Sequence, residues 1–255
     1  MVDVSIIGCG HLGSAVIEGL ARADSHSVTA CDVSEAALER VEDRVHRTTT
    51  DLAVAAESSV VIVAVTPDAV VDVLEDLDLT PEQTLLSFAA GVPMDVLESR
   101  TDATVVRGMP NLAAETGTMA CAITAGAGSD IETLLADLGE FVEISEAQMD
   151  VATAVNGSGP AFVYYLIKGL QEAGVNRGLD GDDARILAAQ TFKGAAETVL
   201  QSESDIEELI DSVATEGGTT IEGMEVLWDS DVIETLDAAV GAATMRSEAL
   251  AKKLQ

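Results

Sequence analysis

Val4-Ser5-Ile6-Ile7 is a short apolar run that breaks into Gly8-Cys9-Gly10-His11-Leu12-Gly13, after which apolar residues recur at helical spacing through Val16, Ile17 and Leu20. A strand, a glycine turn and a helix in that order leave few folds open. In such a turn the first glycine permits the bend, the second lets the backbone approach a pyrophosphate, and the third lets the helix pack closely on the strand. The unpaired N–H groups at the helix start then face the anion. Gly8, Gly10 and Gly13 occupy those three positions with His11 and Leu12 between the last two. These five residues are the first candidates for binding a dinucleotide.

Val28-Thr29-Ala30-Cys31-Asp32 reads as a second strand ending in an acid, 19 residues after Gly13. That spacing suits a carboxylate that accepts a hydrogen bond from an adenosine 2′-OH and repels a 2′-phosphate, which favours NADH over NADPH. The alternative is that Asp32 only caps a helix beginning near Ser34, and the two roles can coexist. Ser59 to Val65 is a continuous apolar run, as expected of a parallel strand covered on both faces, and it ends in Thr66-Pro67-Asp68. Leu85 to Gly91 and Thr104 to Asn111 supply two more strands, and a further pair is expected around Thr118 to Ala125 and Glu140 to Ile144. Repeated strand and helix alternation predicts an α/β Rossmann domain with a doubly wound sheet over residues 1–150.

After about Asp150 the strand pattern stops. Helix-compatible stretches run from Ala161 to Gly174, Asp182 to Ser202, Ile206 to Val213, Thr220 to Trp228 and Val232 to Lys253. Residues 151–255 are therefore expected to form an all-α domain. Pro160 stands where a helix can begin, and Ala161 to Ile167 is apolar nearly all round, so that helix must be buried. So small a helical region packs most economically against a second copy of itself, which predicts a homodimer through this domain. Within it, Thr215-Glu216-Gly217-Gly218-Thr219-Thr220 leads into an apolar-periodic segment. N–H groups at such a helix start suit a carboxylate, and Thr220 adds a hydroxyl. Read on its own, the stretch is equally a Gly-Gly loop with a threonine N-cap.

Taken in order, several segments resemble the pyrroline-5-carboxylate reductases: Gly8 to Gly13, Ala64-Val65-Thr66-Pro67, Ser87 to Val92, Arg107-Gly108-Met109-Pro110-Asn111, Gly157-Ser158-Gly159-Pro160-Ala161, Glu172-Ala173-Gly174 with Gly178-Leu179, Ala189-Gln190-Thr191 with Gly194-Ala195-Ala196, and Val213 to Thr220. The resemblance spans nearly the whole chain, and its last segment is the most specific. It implies a Rossmann domain followed by a helical dimerisation domain, with NAD(P)H as cofactor and Δ1-pyrroline-5-carboxylate reduced to L-proline. Carried over residue by residue, Gly217, Gly218, Thr219 and Thr220 would hold the substrate carboxylate, and the Thr220 hydroxyl would bond the ring nitrogen as the catalytic contact. Thr215 would line the same pocket from across the dimer. Ala90, Gly91 and Asn111 would lie near the nicotinamide, Val65, Thr66 and Pro67 near its ribose, and Asp51 near the adenine ribose. Relatives of this kind often join dimers into rings, and the sequence leaves that assembly open.

The chain departs from the family pattern at three places: Thr66 stands for a lysine, Glu216 for a proline, and Ala113 for a second proline. Glu216 brings negative charge near an anionic substrate, a repulsion on the order of 1 kcal/mol if it points inward. These changes leave open a diverged paralogue acting on another imino or oxo acid, or a non-catalytic nucleotide-binding regulatory protein. A β-hydroxyacid dehydrogenase would need a catalytic lysine, and Lys168 and Lys193 lack the matching context.

The formal charge of -32, from 45 acidic and 13 basic residues, is spread along the chain. It argues against nucleic-acid and anionic-membrane partners. Such self-repulsion is relieved by salt, and with few lysines and few aromatics the composition resembles halophilic cytoplasmic proteins. Cys9, Cys31 and Cys121 lack CxxC spacing, so no disulfide framework or metal site is expected. His11 falls in the phosphate turn, while His26 and His46 are expected in surface loops, none with a catalytic role. No secretion signal or membrane-length apolar segment is apparent, which predicts a soluble cytoplasmic protein.

Overall fold

The computed structural model describes residues 1–252. Eight strands form one sheet: β1 (Asp3–Ile7), β2 (Ser27–Cys31), β3 (Arg47–Thr49), β4 (Val60–Val63), β5 (Thr84–Ser87), β6 (Thr104–Pro110), β7 (Met119–Thr124) and β8 (Gly139–Ile144). Their spatial order is β3-β2-β1-β4-β5-β6-β7-β8. All pairings from β3 through β6 are parallel, β7 runs antiparallel to β6, and β8 runs parallel to β7.

Helices α1 (His11–Ala23), α2 (Glu35–Glu39), α3 (Leu52–Ala55), α4 (Pro67–Glu75), α5 (Met94–Glu98), α6 (Ser129–Leu138) and α7 (Met149–Ala152) punctuate this region. Every residue of β4 is buried, because helices cover both faces of the sheet. On one face Ile6 and Ile62 meet Val16, Ile17 and Leu20 of α1 and Leu134 and Leu138 of α6. On the other, Ile7, Val61 and Val63 meet Val70 and Leu74 of α4 and Leu97 of α5. That arrangement is the doubly wound Rossmann sheet expected from the alternation.

Two differences from the sequence reading have physical causes. β3 was not expected: Arg47-Thr48-Thr49 carries no apolar alternation and is held only at the sheet margin, by pairing with Thr29 to Cys31. His26 lies in a loop but is not at the surface. It is 5% exposed, its Nε2 lies 2.7 Å from Asp137 Oδ2, and its Nδ1 accepts from the Val2 N–H at 3.4 Å. His46 is exposed, as expected.

Helices follow to the end of the described chain: α8 (Gly159–Val175), α9 (Gly181–Gln201), α10 (Ile206–Val213), α11 (Thr219–Trp228) and α12 (Val232–Ala251). The last predicted helical residue, Lys253, lies outside the described residues. By internal contacts the chain divides into two units, one made of Met1–Ser158 with the residues from Val240 on, the other of Gly159–Ala239. This differs from the expected division at residue 150. Residues up to Ser158 stay with the sheet because Asn156 donates to the Met109 and Ala120 carbonyls at 2.6 and 3.0 Å. The end of α12 joins them because the buried Ser247 donates to Asp150 at 2.6 Å. Within the second unit α8 and α9 form a hairpin, turned at Gly178 (φ +100) and closed by Gln171 donating to the Gly181 carbonyl.

Candidate active site

At the end of β1 the three glycines have separate steric reasons to be there. Gly8 has φ +98, and an added Cβ would lie 2.8 Å from both the Ala64 carbonyl oxygen and Val65 Cγ1. At Gly13 an added Cβ would collide with the Gly8 carbonyl, so only glycine lets α1 start this close to the strand. Gly10, the N-cap of α1, faces open space. In front of it lies a recess of about 370 Å³ lined by Gly10, His11, Ser14, Ala15, Glu18, Arg40 and Glu115. The first N–H groups of a helix have no intrahelical acceptor, so an anionic group fits at this end of α1.

Asp32, just past β2, accepts from the Cys9 N–H at 2.7 Å through one carboxylate oxygen and from the Ser34 N–H at 2.8 Å through the other. Ser34, not Asp32, caps α2, accepting from the Ala37 N–H. The capping alternative for Asp32 is therefore overturned. Its carboxylate braces the glycine turn and remains partly exposed. Asp51, after β3, caps α3 by accepting from the Ala53 N–H at 3.0 Å. Cys9 and Cys31 beneath this surface are buried and free, and burial together with Asp32 pushes their thiols up to about 12 and about 11. At neutral pH they are packing groups, not nucleophiles.

Val65 packs at Gly8, Thr66 is the N-cap of α4 and Pro67 its first residue. Ala90 and Gly91 follow β5, with Gly91 at φ +74. An added Cβ there would sit 3.5 Å from Leu250 and 3.4 Å from the Ala251 nitrogen, so the last turn of α12 packs on this glycine. Asn111 follows β6. Its side-chain oxygen accepts from the Ala113 and Ala120 N–H groups at 3.1 and 3.4 Å, which leaves the NH₂ end for a ligand.

The scattered sequence numbers resolve into a row. Along the sheet from β3 to β6 the candidate residues run Asp51, Asp32, Gly8 to Gly13, Val65 to Pro67, Ala90-Gly91 and Asn111, all just beyond the carboxyl ends of neighbouring parallel strands. The row crosses five inter-strand gaps, a span of about 24 Å. It has one anion-accepting turn inside it and acids at one end, as a dinucleotide laid across a switch point requires.

Thr215 to Thr220 belongs to the second unit. The turn closes through the Gly218 N–H donating to the Thr215 carbonyl at 3.0 Å, with Gly217 at φ +73. Gly218 is the N-cap of α11, with Thr219 and Thr220 as its first two residues. The threonine-cap alternative is overturned: the cap makes no side-chain hydrogen bond, so neither hydroxyl is spent on capping. Both threonines, Thr215 and Glu216 are exposed on the chain.

Arg107, Glu146, Asn156 and the end of α12 were not among the expected functional residues. Arg107 and Asn156 stand in or beside recognisable motifs, but Glu146 is one acid among 45 acidic residues with no local signal. Among the described residues no group of three or more His, Cys, Asp or Glu is placed to hold a metal ion, and no helix is long and apolar enough to cross a membrane.

Residues 146–250 match the family described as pyrroline-5-carboxylate reductase dimerisation, and residues 3–91 match that described as NADP oxidoreductase, coenzyme F420-dependent. The pyrroline-5-carboxylate reductase of Methanosarcina acetivorans is 36% identical, with 98% of each chain covered. Among solved structures, that of a pyrroline-5-carboxylate reductase from Coxiella burnetii superposes with a TM-score of 0.89 at 28% identity, covering 98% of each chain. The Plasmodium falciparum pyrroline carboxylate reductase, solved with NADP bound, gives 0.82 at 27% identity, again with 98% of each chain covered.

Proposed function

The chain belongs to the pyrroline-5-carboxylate reductase family, and from that premise we propose how its own residues carry out the NAD(P)H-dependent reduction of the C=N bond of Δ1-pyrroline-5-carboxylate, the step of proline biosynthesis that yields L-proline. The observation that carries the reading is the row of candidate residues along the carboxyl ends of β3 to β6. Bound NAD(P)H supplies the hydride.

In this reading the start of α1, with Gly10, His11, Leu12 and Gly13, holds the pyrophosphate through free N–H groups. Asp51 and Asp32 take the adenosine end, Val65, Thr66 and Pro67 the second ribose, and Ala90, Gly91 and Asn111 the nicotinamide. Asp32 already draws the Cys9 N–H into place, so it both shapes the turn and offers a carboxylate to a ribose hydroxyl. A 2′-phosphate would meet that charge, which supports a preference for NADH. The start of α11 supplies N–H groups for the substrate carboxylate at Gly218, Thr219 and Thr220, beside Gly217 and Thr215. The Thr220 hydroxyl, free of any capping bond, orients the ring nitrogen, and holding the two reacting rings in register is the larger part of the catalysis.

In this reading the nucleotide domain runs on to Ser158, where the structural unit ends, and the helices of Gly159–Ala239 supply dimerisation and the substrate contacts. The match of residues 146–250 to a dimerisation family and the exposed apolar faces of α8 to α12 support a homodimer, with rings of dimers as a further level of assembly. A charge of -32 and the absence of a membrane-length helix among the described residues support a cytoplasmic protein adapted to high salt.

The test is oxidation of NADH, and separately NADPH, with Δ1-pyrroline-5-carboxylate in low and in molar KCl, followed at 340 nm with proline identified as product. Turnover with NADH in molar salt is the expected result; bound cofactor with no turnover at any salt would overturn it. Thr220→Ala should lower kcat by about tenfold or more while leaving NADH binding intact, and unchanged kcat would remove Thr220 from the mechanism. Asp32→Ser should move the kcat/KM ratio toward NADPH, whereas a constant ratio would reduce Asp32 to a brace of the turn.

A further inference from the structure

Arg107 is the central residue of β6 and is 4% exposed, which is uncommon for a guanidinium. Its Nη1 meets Glu146 Oε1 at 2.5 Å, while Nε, Nη2 and Glu146 Oε2 are buried without a protein partner. The same Glu146 Oε1 accepts the Met94 N–H at 3.3 Å. One carboxylate oxygen therefore receives donors from two other segments. Met94 opens α5, three residues after Gly91. Arg107 is four residues before Asn111 and is fixed to β7 by its own N–H donating to Thr124 Oγ1 at 3.0 Å. Glu146 opens the stretch that runs through α7 to Asn156, which holds the Met109 and Ala120 carbonyls beside Asn111.

Only Arg107 of this pair is buried, the Glu146 side chain being 38% exposed, and an ion pair with buried donors left over is a poor source of stability, since apolar residues of similar volume often serve as well or better. What this pair provides is a common fixed point for the turn after β5, the middle of β6 and the chain leaving β8. We infer that Arg107 and Glu146 are positioning residues for hydride transfer, setting the Ala90-Gly91 turn and Asn111 at one height above the sheet through the shared contact at Glu146 Oε1. The inference rests on Ala90, Gly91 and Asn111 being the nicotinamide contacts.

The test compares Glu146→Gln, the double variant Arg107→Met/Glu146→Met, and Gly91→Val with the unaltered enzyme. Each is measured for melting temperature without ligand, NADH affinity by fluorescence without substrate, and kcat and KM in molar KCl. The double variant removes the pair without stranding a buried charge. It should keep its melting temperature and NADH affinity, which the start of α1 dominates, while kcat falls on the order of a hundredfold, as a displacement of about 1 Å at the reacting atoms produces. Glu146→Gln keeps an acceptor for the Met94 N–H and should recover part of that loss, a graded rescue that a purely structural role would not give. Wild-type kcat in the folded double variant overturns the inference. If the double variant does not fold, Glu146→Gln decides alone: lower kcat at unchanged KM and NADH affinity supports the positioning role, and unchanged kcat overturns it. Gly91→Val separates the two readings. Full turnover in that variant means that the nicotinamide assignment has failed, whereas lost turnover there beside wild-type kcat in the Arg107 and Glu146 variants means that only the positioning inference has failed.

Discussion

The two units of this chain solve burial in opposite ways. In the first, β4 is buried end to end and two apolar clusters close over the faces of the sheet. In the second, α8, α10 and α11 contain no buried residue, α9 buries only Ala184 and Ala188, and Tyr164, Tyr165, Ile206, Val226 and Trp228 are all more than half exposed. A region of that composition left open to water is an unfinished surface. The difference teaches that the nucleotide part carries its own core, while the helical part leaves apolar faces open that the proposed homodimer would cover.

The strongest way to break this comparison is Ile62→Ala, at the centre of the first unit. It should cost about 2–5 kcal/mol, read from denaturant unfolding followed by NADH binding, with a midpoint that does not move with protein concentration. A concentration-dependent midpoint would mean that the first unit also depends on its partner. Next in size, Tyr165→Asp on α8 should weaken self-association by about 2 kcal/mol, the scale of an interface hot spot. Sedimentation velocity measures this directly. Trp228, the single tryptophan of the chain, reports whether the helical unit loosens with it, and an unchanged association constant would move the interface off α8.

The smallest effect sharpens the self-sufficient side. The Ser25 hydroxyl and His26 hold the Asp137 carboxyl below its ordinary value. The ionised form is thus favoured by folding, so this stabilisation is present above the ordinary carboxylate range and is lost as pH falls through the lowered folded value. Asp137→Asn should be less stable than the parent at pH 7, with the difference shrinking as the solution is acidified below that range. A difference that stays constant with pH would make the contact one of packing, not charge.

Much of the first unit was legible because its signals are local. A continuous β-branched run such as Val60 to Val63 suits a covered strand, and Gly8 and Gly13 mark places where a Cβ has no room. The helix limits of the second unit were also legible, since Gly159-Pro160 and Gly217-Gly218 interrupt apolar periodicity. What stayed hidden depends on tertiary pairing. β3 exists only because β2 offers an open ladder, and His26 is buried only because Asp137, far along the chain, reaches it. Glu146 carries no mark that separates it from the other acids until the fold brings it to Arg107 and Met94. Likewise, which residue caps α2 or α11 was decided by offsets of one or two residues that spacing does not resolve.

The last helix carries residues of both units, and its terminal turns, themselves part of the first, pack within that unit at two points, Ser247 on Asp150 and Leu250 with Ala251 on Gly91. A helix turns about 100° with each residue. Adding or deleting one residue between Ser247 and Leu250 would swing one contact away from the other by that angle, however well every remaining side chain were preserved. The three-residue step from Ser247 to Leu250 is therefore itself a constraint inside the first unit: a count of residues, held as strictly as any identity, sets which side of α12 meets Asp150 and which meets the turn at Gly91.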